Sequence, residues 1–377
     1  MRRIMAKILV LGSHAESLII FRLDMLIAMS KQHEVIACAP DASAAVIQKL
    51  KNAGVSFVPV KLARTGLNPI ADLQTLCDLY KVFKKVRPDQ VFLYTGKPVI
   101  YGSIAAKVAG IKQIYSMITG IGSYFVHTDL KSRIVRAIMS ALYKVALSFN
   151  TKVFFQNLDD VADFAASGIF NNSSKTIITN GSGVNLEYFT QLPLPTNKIA
   201  FILTARFILA KGVIEYLTAA QQIKERYPHV EFFLVGWYEN KDESIQPAVI
   251  QKYIDQGIIQ YLGKLEDVRP ALAQSSVFVL PSYREGIPKT ILEAMACGRA
   301  IISTNVPGCK ETVKIGVNGF LVPARDIASL RVAMEEFIIK PELIAQMGQR
   351  SREIAVEKYD VNQVNSVILN AMVESAV

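Results

Sequence analysis

The sequence predicts an α/β protein with two doubly wound, parallel-sheet domains, and three observations lead to this fold class. The chain has 377 residues, of which 51% are hydrophobic, so it is long and apolar enough to bury two separate cores. Short apolar runs alternate with helical patterns along nearly the whole chain, which is typical of parallel sheets covered by helices. A turn-rich stretch near residues 180–195 separates one such series from the next.

The first series contains six predicted strands with helical patterns between them. The strands are Lys7–Gly12, Glu34–Ala39, Ser56–Val60, Gln90–Tyr94, Gln113–Ile118 and Lys152–Gln156. The helices lie near Leu18–Ser30, Ala42–Ala53, Pro69–Val86, Val99–Ala109, Lys131–Phe149 and Leu158–Ser167. After the first strand, Gly12 is not part of a G-x-G-x-x-G motif, which argues against a dinucleotide site. A single glycine there still allows a ligand to approach the following helix N-terminus closely.

The second series follows the turn-rich stretch, and we predict three regions: a first domain over 1–192, a second over 193–357, and a C-terminal helix over 358–377 that returns to the first domain. The predicted strands of the second domain are Ile199–Thr204, Glu231–Gly236, Ile258–Tyr261, Val277–Leu280 and Ala300–Ser303. Its helices include Val213–Arg226, Ile245–Asp255, Val268–Gln274 and Thr290–Ala296. After Asp326 the chain is predicted to be helical to its end.

Charge is unevenly distributed along a chain whose net charge is +10. Residues 1–152 carry 21 Lys and Arg against 8 Asp and Glu, whereas the remainder carries 21 against 24. A basic first half suits an anionic partner such as a membrane surface, a phosphate-bearing lipid or nucleic acid, although solvated surface cations give the same composition. The chain has no basic-aromatic module typical of nucleic-acid binding, so we exclude nucleic acid as a partner.

Cysteine usage and hydropathy predict the compartment. The four cysteines are widely scattered, which suits neither a disulfide framework nor a metal site and indicates a reducing cytosol. No long apolar region of a signal peptide follows Met1, and no apolar run approaches the ~18 residues of a membrane span. We therefore expect a cytoplasmic protein that is soluble or peripheral.

The stretch Pro281–Glu293 has the clearest chemical pattern. The apolar run Val277–Leu280 precedes it and a helical pattern begins at Thr290, so the stretch joins a strand to a helix N-terminus, where ligands dock in open α/β sheets. Glu285 and Glu293 lie about two helical turns apart, and carboxylates accept hydrogen bonds from neighbouring hydroxyls of a ribose or a hexose. Two solvated helix glutamates are the alternative.

Two cations follow the first strand of the second domain. Arg206 comes directly after the strand, and Lys211-Gly212 leads into the next helix. Arg presents a planar fork to phosphate oxygens, Lys a point charge, and the helix adds amide donors. Surface cations are the alternative for this motif alone. Together with Glu285 and Glu293 it outlines a nucleotide-diphosphate site, in which cations hold the diphosphate and carboxylates hold sugar hydroxyls.

We predict no metal and no cofactor. The chain contains no Asp-x-Asp, and its four histidines are isolated from one another, so a metal clamp on the diphosphate is not expected. Arg206 and Lys211 would then stabilise the leaving diphosphate themselves.

Four segments together resemble the retaining glycosyltransferases of the GT-B type, family four. They are Arg206 with Lys211-Gly212, Pro281–Gly286, Glu293–Gly298, and Asn318-Gly319. The Glu285–Glu293 pair matches that family's E-x7-E signature. The resemblance covers essentially the whole chain, and it implies two Rossmann-like domains with the active site in the cleft between them.

The resemblance also implies site residues for a nucleotide-sugar donor: Gly12, Arg206, Lys211, Gly263, Glu285, Gly286, Ile287 and Glu293. Arg206 and Lys211 would hold the diphosphate and Glu285 would lie against the hydroxyls of the donor sugar, which makes these three the implied catalytic residues. Glu293 would bind the ribose, and the loop around Gly263 would cradle the base. Gly12 of the first domain would help at the diphosphate, and the backbone amides after Glu285 would contact the sugar or the diphosphate.

Segments of the first domain look most like enzymes that extend polyprenyl-diphosphate-linked sugars, among them the GalNAc transferase of bacterial protein N-glycosylation and O-antigen or capsule relatives. These segments include Phe21-Arg22, Ala63–Pro69 and Thr119–Phe125. Many family members carry a His after the fifth strand, where this chain has Gly120. His14 is the nearest substitute on the acceptor side, with a packed or capping His as the alternative. A front-face retaining reaction needs no dedicated base, because the leaving diphosphate oxygen can take the acceptor proton.

The helical segment 131–144 interleaves cations with large apolar residues. On a helix this pattern places a cationic flank beside an apolar stripe, which is typical of interfacial helices. We expect Lys131, Arg133 and Arg136 on the membrane side, with an amphipathic core helix as the alternative.

The resulting hypothesis is a retaining glycosyltransferase, peripheral on the cytoplasmic face of the inner membrane. It would move a HexNAc such as GalNAc from a UDP-sugar to an undecaprenyl-diphosphate-linked saccharide. Its partners would be the nucleotide sugar, the polyprenyl-diphosphate-linked glycan and an anionic membrane surface. Two alternatives remain: a catalytically inactive sugar-nucleotide-binding subunit, and a sugar-nucleotide epimerase, against which the E-x7-E match argues.

Overall fold

The computed structural model describes residues 5–63, 68–120, 130–196, 198–239 and 244–375, with the backbone alone at 130–132. The chain divides into two compact units. The first comprises residues 1–182 and 361–377, and the second comprises residues 183–360. The boundary falls earlier than the predicted position 192, and Val184 already pairs with Asp360 of the second unit.

In the described part of the first unit, seven parallel strands form one sheet. They are β1 (Lys7–Leu11), β2 (Glu34–Ala39), β3 (Ser56–Pro59), β4 (Gln90–Tyr94), β5 (Gln113–Ile118), β6 (Lys152–Phe155) and β7 (Thr176–Ile178), in the order β3-β2-β1-β4-β5-β6-β7. The helices are α1 (Ala15–Ser30), α2 (Ala44–Asn52), α3 (Pro69–Val86), α4 (Gly96–Ala109), α5 (Leu130–Ser148) and α6 (Leu158–Ala166).

Across the residues described for the second unit, six parallel strands form the other sheet. They are β8 (Ala200–Arg206), β9 (Glu231–Trp237), β10 (Gln260–Tyr261), β11 (Val277–Leu280), β12 (Ala300–Thr304) and β13 (Gly319–Val322), in the order β10-β9-β8-β11-β12-β13. The helices are α7 (Val213–Arg226), α8 (Pro247–Asp255), α9 (Arg269–Ala273), α10 (Lys289–Ala296), α11 (Ile327–Ile339) and α12 (Glu342–Lys358). The predicted fold class, two doubly wound parallel sheets, is confirmed.

The strands are apolar nearly throughout because helices cover both faces of each sheet. In β1, Leu9 and Leu11 join the core cluster under α3 to α6, while Ile8 and Val10 join the cluster under α1 and α2. Alternate side chains of a strand point to opposite faces, so this single strand contributes to both layers.

The last helix of the chain, α13 (Val361–Glu374), belongs to the first unit and packs against α1. The Tyr115 hydroxyl of β5 donates to the Met372 carbonyl at 3.0 Å, and the Gln113 side-chain amide donates to the Ser375 carbonyl at 2.8 Å. These bonds anchor the end of the chain on the same sheet face as α1. No described helix is long and apolar enough to cross a bilayer.

In each sheet the strand order reverses beside the first strand. β1 lies between β2 and β4, and β8 lies between β9 and β11. At such a reversal the chain leaves neighbouring strands toward opposite faces of the sheet, which opens a crevice at the carboxyl ends where ligands bind. Each unit therefore has one topologically favoured position for a site.

Two strands were not predicted, β7 and β13. β7 has three residues, all half-buried, so its apolar signal is short and weak. β13 begins at Gly319 directly after Asn318, a pair that is typical of turns. Both strands lie at sheet edges, where one neighbour is missing and apolar side chains are less necessary.

Candidate functional site

In the second unit, charged residues lie at the carboxyl ends of β8 and β11, the two strands on either side of the reversal. Arg206 is the last residue of β8, and Lys211 lies in the short turn before α7. The loop that carries Glu285 follows β11 and leads into α10. The predicted cations and the predicted carboxylate therefore emerge from adjacent strands.

Gly212 brings the turn after β8 against the loop after β11. Its φ of 68° is left-handed, and a Cβ at this position would lie 2.1 Å from the carbonyl oxygen of Pro281. The Ala210 carbonyl accepts a hydrogen bond of 2.9 Å from the amide of Tyr283. The backbone around Lys211 is thus fixed beside the loop that follows β11.

A second close approach supports Glu285 from the other side. Gly308, with a φ of 84°, packs so tightly that a Cβ would lie 2.3 Å from the carbonyl oxygens of both Glu285 and Gly286. The Glu285 amide donates to the Pro307 carbonyl at 3.1 Å. Ile287 is buried in the core of the unit. The backbone after β11 is therefore held between two loops and has little freedom to move.

Two ion pairs join the charged groups of this edge. The Lys211 ammonium contacts the Glu285 carboxylate directly, and the two side chains are 17% and 12% exposed. The Arg206 guanidinium donates to both carboxylate oxygens of Glu239, at 3.1 and 3.3 Å. The cation predicted for the diphosphate and the carboxylate predicted for the sugar are thus direct neighbours, although 74 positions separate them in sequence.

Glu293 lies in α10 and is largely buried, with 14% of its side chain exposed. Burial raises the pKa of Glu293 to about 7; Lys289, 3.9 Å away, lowers it and Asp267 raises it further. Near neutral pH this carboxyl group therefore exchanges between its charged and neutral forms. Hydroxyl groups that donate to it would favour the charged form, as the predicted ribose would.

The loop around Gly263 lies at the same edge of the sheet. The Gly236 amide at the end of β9 donates to the Gly263 carbonyl at 2.9 Å, and the Tyr261 hydroxyl donates to the Gly236 carbonyl at 3.0 Å. The Lys264 ammonium lies 5.1 Å from the ring centroid of Trp237. This loop follows β10, so β9 lies between it and β8, whose last residue is Arg206.

Sequence reasoning missed two features of the site. Glu239, the partner of Arg206, belongs to no motif. The Tyr283 hydroxyl donates to the Glu215 carboxylate, and the Arg325 guanidinium lies 4.5 Å from the Tyr283 ring centroid. Burial and the Glu215 carboxylate raise the pKa of Tyr283 to about 12, so its phenol remains a donor at neutral pH. Only the position of Tyr283 inside the 281–286 motif offered a signal.

In the first unit, β1 is followed by Gly12, Ser13 and His14 rather than by an Arg or a Lys, and the first acidic residue is Glu16 in the first turn of α1. The Gly12 amide donates to the Cys38 carbonyl at 2.9 Å. His14 occupies the N-cap position of α1, is half-buried, and has its Nδ1 3.2 Å from the Ser13 hydroxyl. Gly120 is half-exposed after β5. The rest of the segment up to Phe125, and residues 64–67 of the other predicted segment, lie outside the described residues.

The three cations predicted for the membrane side lie in α5, whose predicted extent is confirmed within one residue at each end. Arg133 is exposed, as are Ile134 and Ile138 of the same helix. Arg136 is half-buried and its Nε is shielded from solvent, so it does not lie on the outward face. Lys131 belongs to the first turn, where the backbone alone is described.

Comparisons with known proteins cover both units. A family model described as "Glycosyl transferase 4-like" matches residues 7–157, and one described as "Glycosyl transferases group 1" matches residues 198–339. The chain is 27% identical, over 93% of its length and 94% of the relative's, to the N,N'-diacetylbacillosaminyl-diphospho-undecaprenol alpha-1,3-N-acetylgalactosaminyltransferase of Campylobacter jejuni. It is 29% identical, over 81% of its length and 80% of the relative's, to the UDP-Gal:alpha-D-GlcNAc-diphosphoundecaprenol alpha-1,3-galactosyltransferase of Escherichia coli.

Solved structures share the fold at low sequence identity. The Anabaena protein HepE in complex with UDP-glucose matches 98% of this chain and 100% of its own, with a TM-score of 0.78 and 18% identity. Sucrose-phosphate synthase from Thermosynechococcus elongatus matches 99% and 100%, with a TM-score of 0.81 and 16% identity. The solved structures show that the fold of the chain is of the GT-B type. Since the two family models together span most of both units, the chain belongs to the glycosyltransferases, with a GT4-like first unit and a group 1 second unit.

Proposed function

We propose that this glycosyltransferase moves a sugar from a UDP-sugar to an undecaprenyl-diphosphate-linked saccharide, with retention at the anomeric carbon. The observation that carries the proposal is the contact of Lys211 with Glu285 at the carboxyl ends of β8 and β11, because it joins a phosphate-binding cation to a hydroxyl-binding carboxylate. Two relatives with long matches act, by name, on sugars linked to undecaprenol through a diphosphate. The relative with 93% coverage transfers N-acetylgalactosamine, so we propose a HexNAc donor such as UDP-GalNAc.

In the proposed reaction, the bond from the anomeric carbon to the β-phosphate oxygen breaks while an acceptor hydroxyl forms a new bond on the same face. Arg206 and Lys211 offset the negative charge that develops on the departing diphosphate. The departing phosphate oxygen takes the proton of the acceptor hydroxyl, so UDP and the extended saccharide are the products. Glu285 accepts hydrogen bonds from the donor sugar and orients it.

The ion pairs prepare the site for this step. Glu285 holds Lys211 and Glu239 holds Arg206, so both cations are already oriented before they meet a phosphate. Preorganised charges stabilise a transition state better than charges that must first reorient. We assign Glu239 as a positioning residue that acts through Arg206.

The direct test incubates the full chain with a panel of UDP-sugars and polyprenyl-diphosphate-linked saccharides, and reads product masses. One added sugar residue on the lipid-linked saccharide, together with free UDP, supports the proposal. An isomerised nucleotide sugar, or hydrolysis without transfer, contradicts it. Metal independence stays a prediction, which the same assay tests by adding EDTA; strict dependence on a divalent ion would contradict it.

We also propose that the chain associates peripherally with the anionic leaflet that holds its acceptor, on the cytoplasmic face of the inner membrane. The outward face of α5 supports this, since Arg133 and Lys144 flank exposed apolar side chains. Each cation near an anionic leaflet contributes about 1 kcal/mol, so Arg133→Gln with Lys144→Gln should weaken vesicle binding roughly thirtyfold. Co-sedimentation at low and high salt measures this, and unchanged binding in the double variant would refute the role of α5.

A further inference from the structure

Helix α3 displays a stripe of apolar side chains on the side away from its own core. Ile70 and Leu73 are 71% and 61% exposed, and Cys77 and Tyr80 continue the exposed stripe. The spacing of three and four residues places all four on one face of the helix. Leu79, on the opposite face, is fully buried. A helix that already packs on its sheet and still displays large apolar residues outward has surface available for a second partner.

A similar stripe lies nearby on α5. Its exposed members are Ile134, Ile138, Ala141 and Val145, again at spacings of three and four. α4 packs against both α3 and α5, so the three helices form one layer on the sheet. Packed helices lie 8–10 Å apart, which places the two stripes side by side at about 20 Å.

The exposed charges of this layer have one sign. Among the described side chains of α3, α4 and α5, six basic residues are exposed and no acidic residue is. The exposed cations are Lys81, Lys84, Lys85, Lys107, Arg133 and Lys144. On the opposite layer, formed by α1, α2 and α13, the exposed charged side chains are balanced, with Lys49 and Lys51 against Glu16 and Glu374. The apolar stripes of the first layer therefore lie in a positive field that the other layer lacks.

We propose that α3 is a second membrane-contacting helix, and that α3 and α5 together seat this face of the first unit on an anionic lipid bilayer. Ile70 and Leu73 enter the boundary between headgroups and acyl chains, while Lys81, Lys84 and Lys85 meet anionic headgroups. The inference rests on the proposed lipid-linked acceptor. A second copy of the chain is a poorer occupant, because two faces with six exposed cations each would repel.

Contact through both α3 and α5 fixes the orientation of the first unit on the bilayer, whereas contact through one helix would let the unit rotate about that helix. In a βαβ crossover the helix begins on the side where the preceding strand ends. The most exposed apolar residues of both helices, Ile70 and Leu73 in α3 and Ile134 in α5, lie in their N-terminal halves. This seating therefore turns the carboxyl edge of the first sheet, where ligands bind in such folds, toward the leaflet.

The chain carries a native probe for this contact. Cys77 lies on the α3 stripe and is exposed, whereas Cys38, Cys297 and Cys309 are buried. An environment-sensitive fluorophore on Cys77 should shift its emission to the blue with phosphatidylglycerol-containing vesicles, less at high salt, and remain unshifted with pure phosphatidylcholine. As the control, the same fluorophore is attached to a Cys77→Ser chain that carries Lys49→Cys on α2. Its emission should remain unshifted with both kinds of vesicle.

Variants test the same contact without a label. Ile70→Gln with Leu73→Gln should weaken vesicle co-sedimentation about tenfold or more, because two inserted side chains lose their apolar contact. These residues are exposed, so the fold should be retained, which circular dichroism checks. Ile47→Gln on α2, also exposed, is the matched control and should bind as the parent does.

Three results would overturn the inference. The first is an unshifted emission of the fluorophore on Cys77 while the chain sediments with anionic vesicles, which would leave α5 as the contact. The second is a blue shift that needs no vesicles and grows with protein concentration, which would assign the face to a second copy. The third is no sedimentation at all. Transfer to a short-chain, water-soluble acceptor tests the proposed reaction separately, because it requires no bilayer.

Discussion

The two sheets have the same strand order around their first strands, yet an ion pair near the first strand of one sheet joins two loops, and an ion pair in the other unit joins two helices. In the second unit, Lys211 and Glu285 join the loop after β8 to the loop after β11. In the first unit, Lys97 and Asp72 form a buried pair at 2.6 Å that joins α4 to α3. The first pair connects two loops at the carboxyl edge of its sheet, and the second connects the first turns of two helices that begin at the carboxyl edge of theirs.

This difference shows that topology alone does not make a ligand site. Both reversals open a crevice at the carboxyl ends. In the second unit Arg206, Lys211 and Glu285 follow the strands beside the reversal, whereas β1 of the first unit is followed by no Lys or Arg before α1. The first unit instead carries its exposed charge on helices. We infer that the second unit binds the charged nucleotide while the first meets the saccharide and the lipid surface.

The largest effect is expected at the cations of the second unit. Lys211→Ala and Arg206→Ala should each lower kcat/KM by two orders of magnitude or about 3 kcal/mol, since the departing diphosphate loses a preorganised partner. Steady-state transfer assays measure this. Arg350→Ala is the matched control, because Arg350 is exposed on α12 and, within the described part of the chain, forms its ion pair with Glu353 of the same helix. A change below tenfold in both site variants would contradict the assignment.

Breaking the Lys97–Asp72 pair of the first unit should lower the free energy of unfolding and leave the affinity for UDP unchanged. Both side chains are about nine-tenths buried, so Asp72→Ala leaves Lys97 buried without its partner. Loss of one member of such a pair costs about 3 kcal/mol of unfolding free energy. Urea denaturation measures the loss, and UDP affinity should remain at the parent value below the transition. Lower UDP affinity in the folded variant would mean that the two units do not divide these roles.

Substitutions at Gly308 and Gly316 distinguish the cost of a steric collision from the cost of a left-handed φ. Gly308→Ala should reduce turnover and cost about 2 kcal/mol of stability, because the new Cβ would collide with two carbonyl oxygens beside Glu285. Gly316→Ala is the control: its φ of 73° is also left-handed, but a Cβ there meets no described atom within 4 Å. Equal losses in the two variants would attribute the whole effect to φ, and the loop contact would then be unimportant.

The smallest effect is a pH dependence of UDP affinity. The pKa of Glu293 is about 7, and ribose hydroxyls favour its charged form, so affinity should fall about tenfold between pH 8 and pH 6. Glu293→Gln should remove this dependence. The same raised pKa means that the folded chain loses stability as pH rises from about 4.5 to 7, so the variant should be more stable than the parent at pH 8. Affinity in the parent that is flat with pH would contradict the ribose role.

The fold could be predicted because each strand long enough to be covered on both faces has a local signal. β11 is apolar throughout and β4 is apolar after Gln90, and both were predicted to the residue. β7 and β13 are short edge strands whose stability depends on their neighbours, and no local pattern reveals them. The order of strands in each sheet is also a property of the whole chain and was not predicted.

The site was predictable to the extent that its residues follow strands. Arg206, Lys211 and Glu285 could be assigned to the carboxyl edge from local patterns, but the direct contact between Lys211 and Glu285 depends on the pairing of β8 with β11. Glu239 has no motif and is recognised only by its geometry at Arg206. Arg136 was assigned outward from spacing alone, whereas the packing of α5 turns it partly inward.

The proposed donor site is tested most directly by titration calorimetry with UDP at pH 8, which compares variants of Glu293 and Glu285. Glu293→Gln should weaken UDP binding strongly, because the ribose is part of UDP. Glu285→Gln should leave UDP affinity nearly unchanged and abolish transfer from the UDP-sugar, because its proposed partner is the donor sugar. If both variants weaken UDP binding equally, the two carboxylates do not divide ribose and sugar between them, and the proposed donor site is wrong.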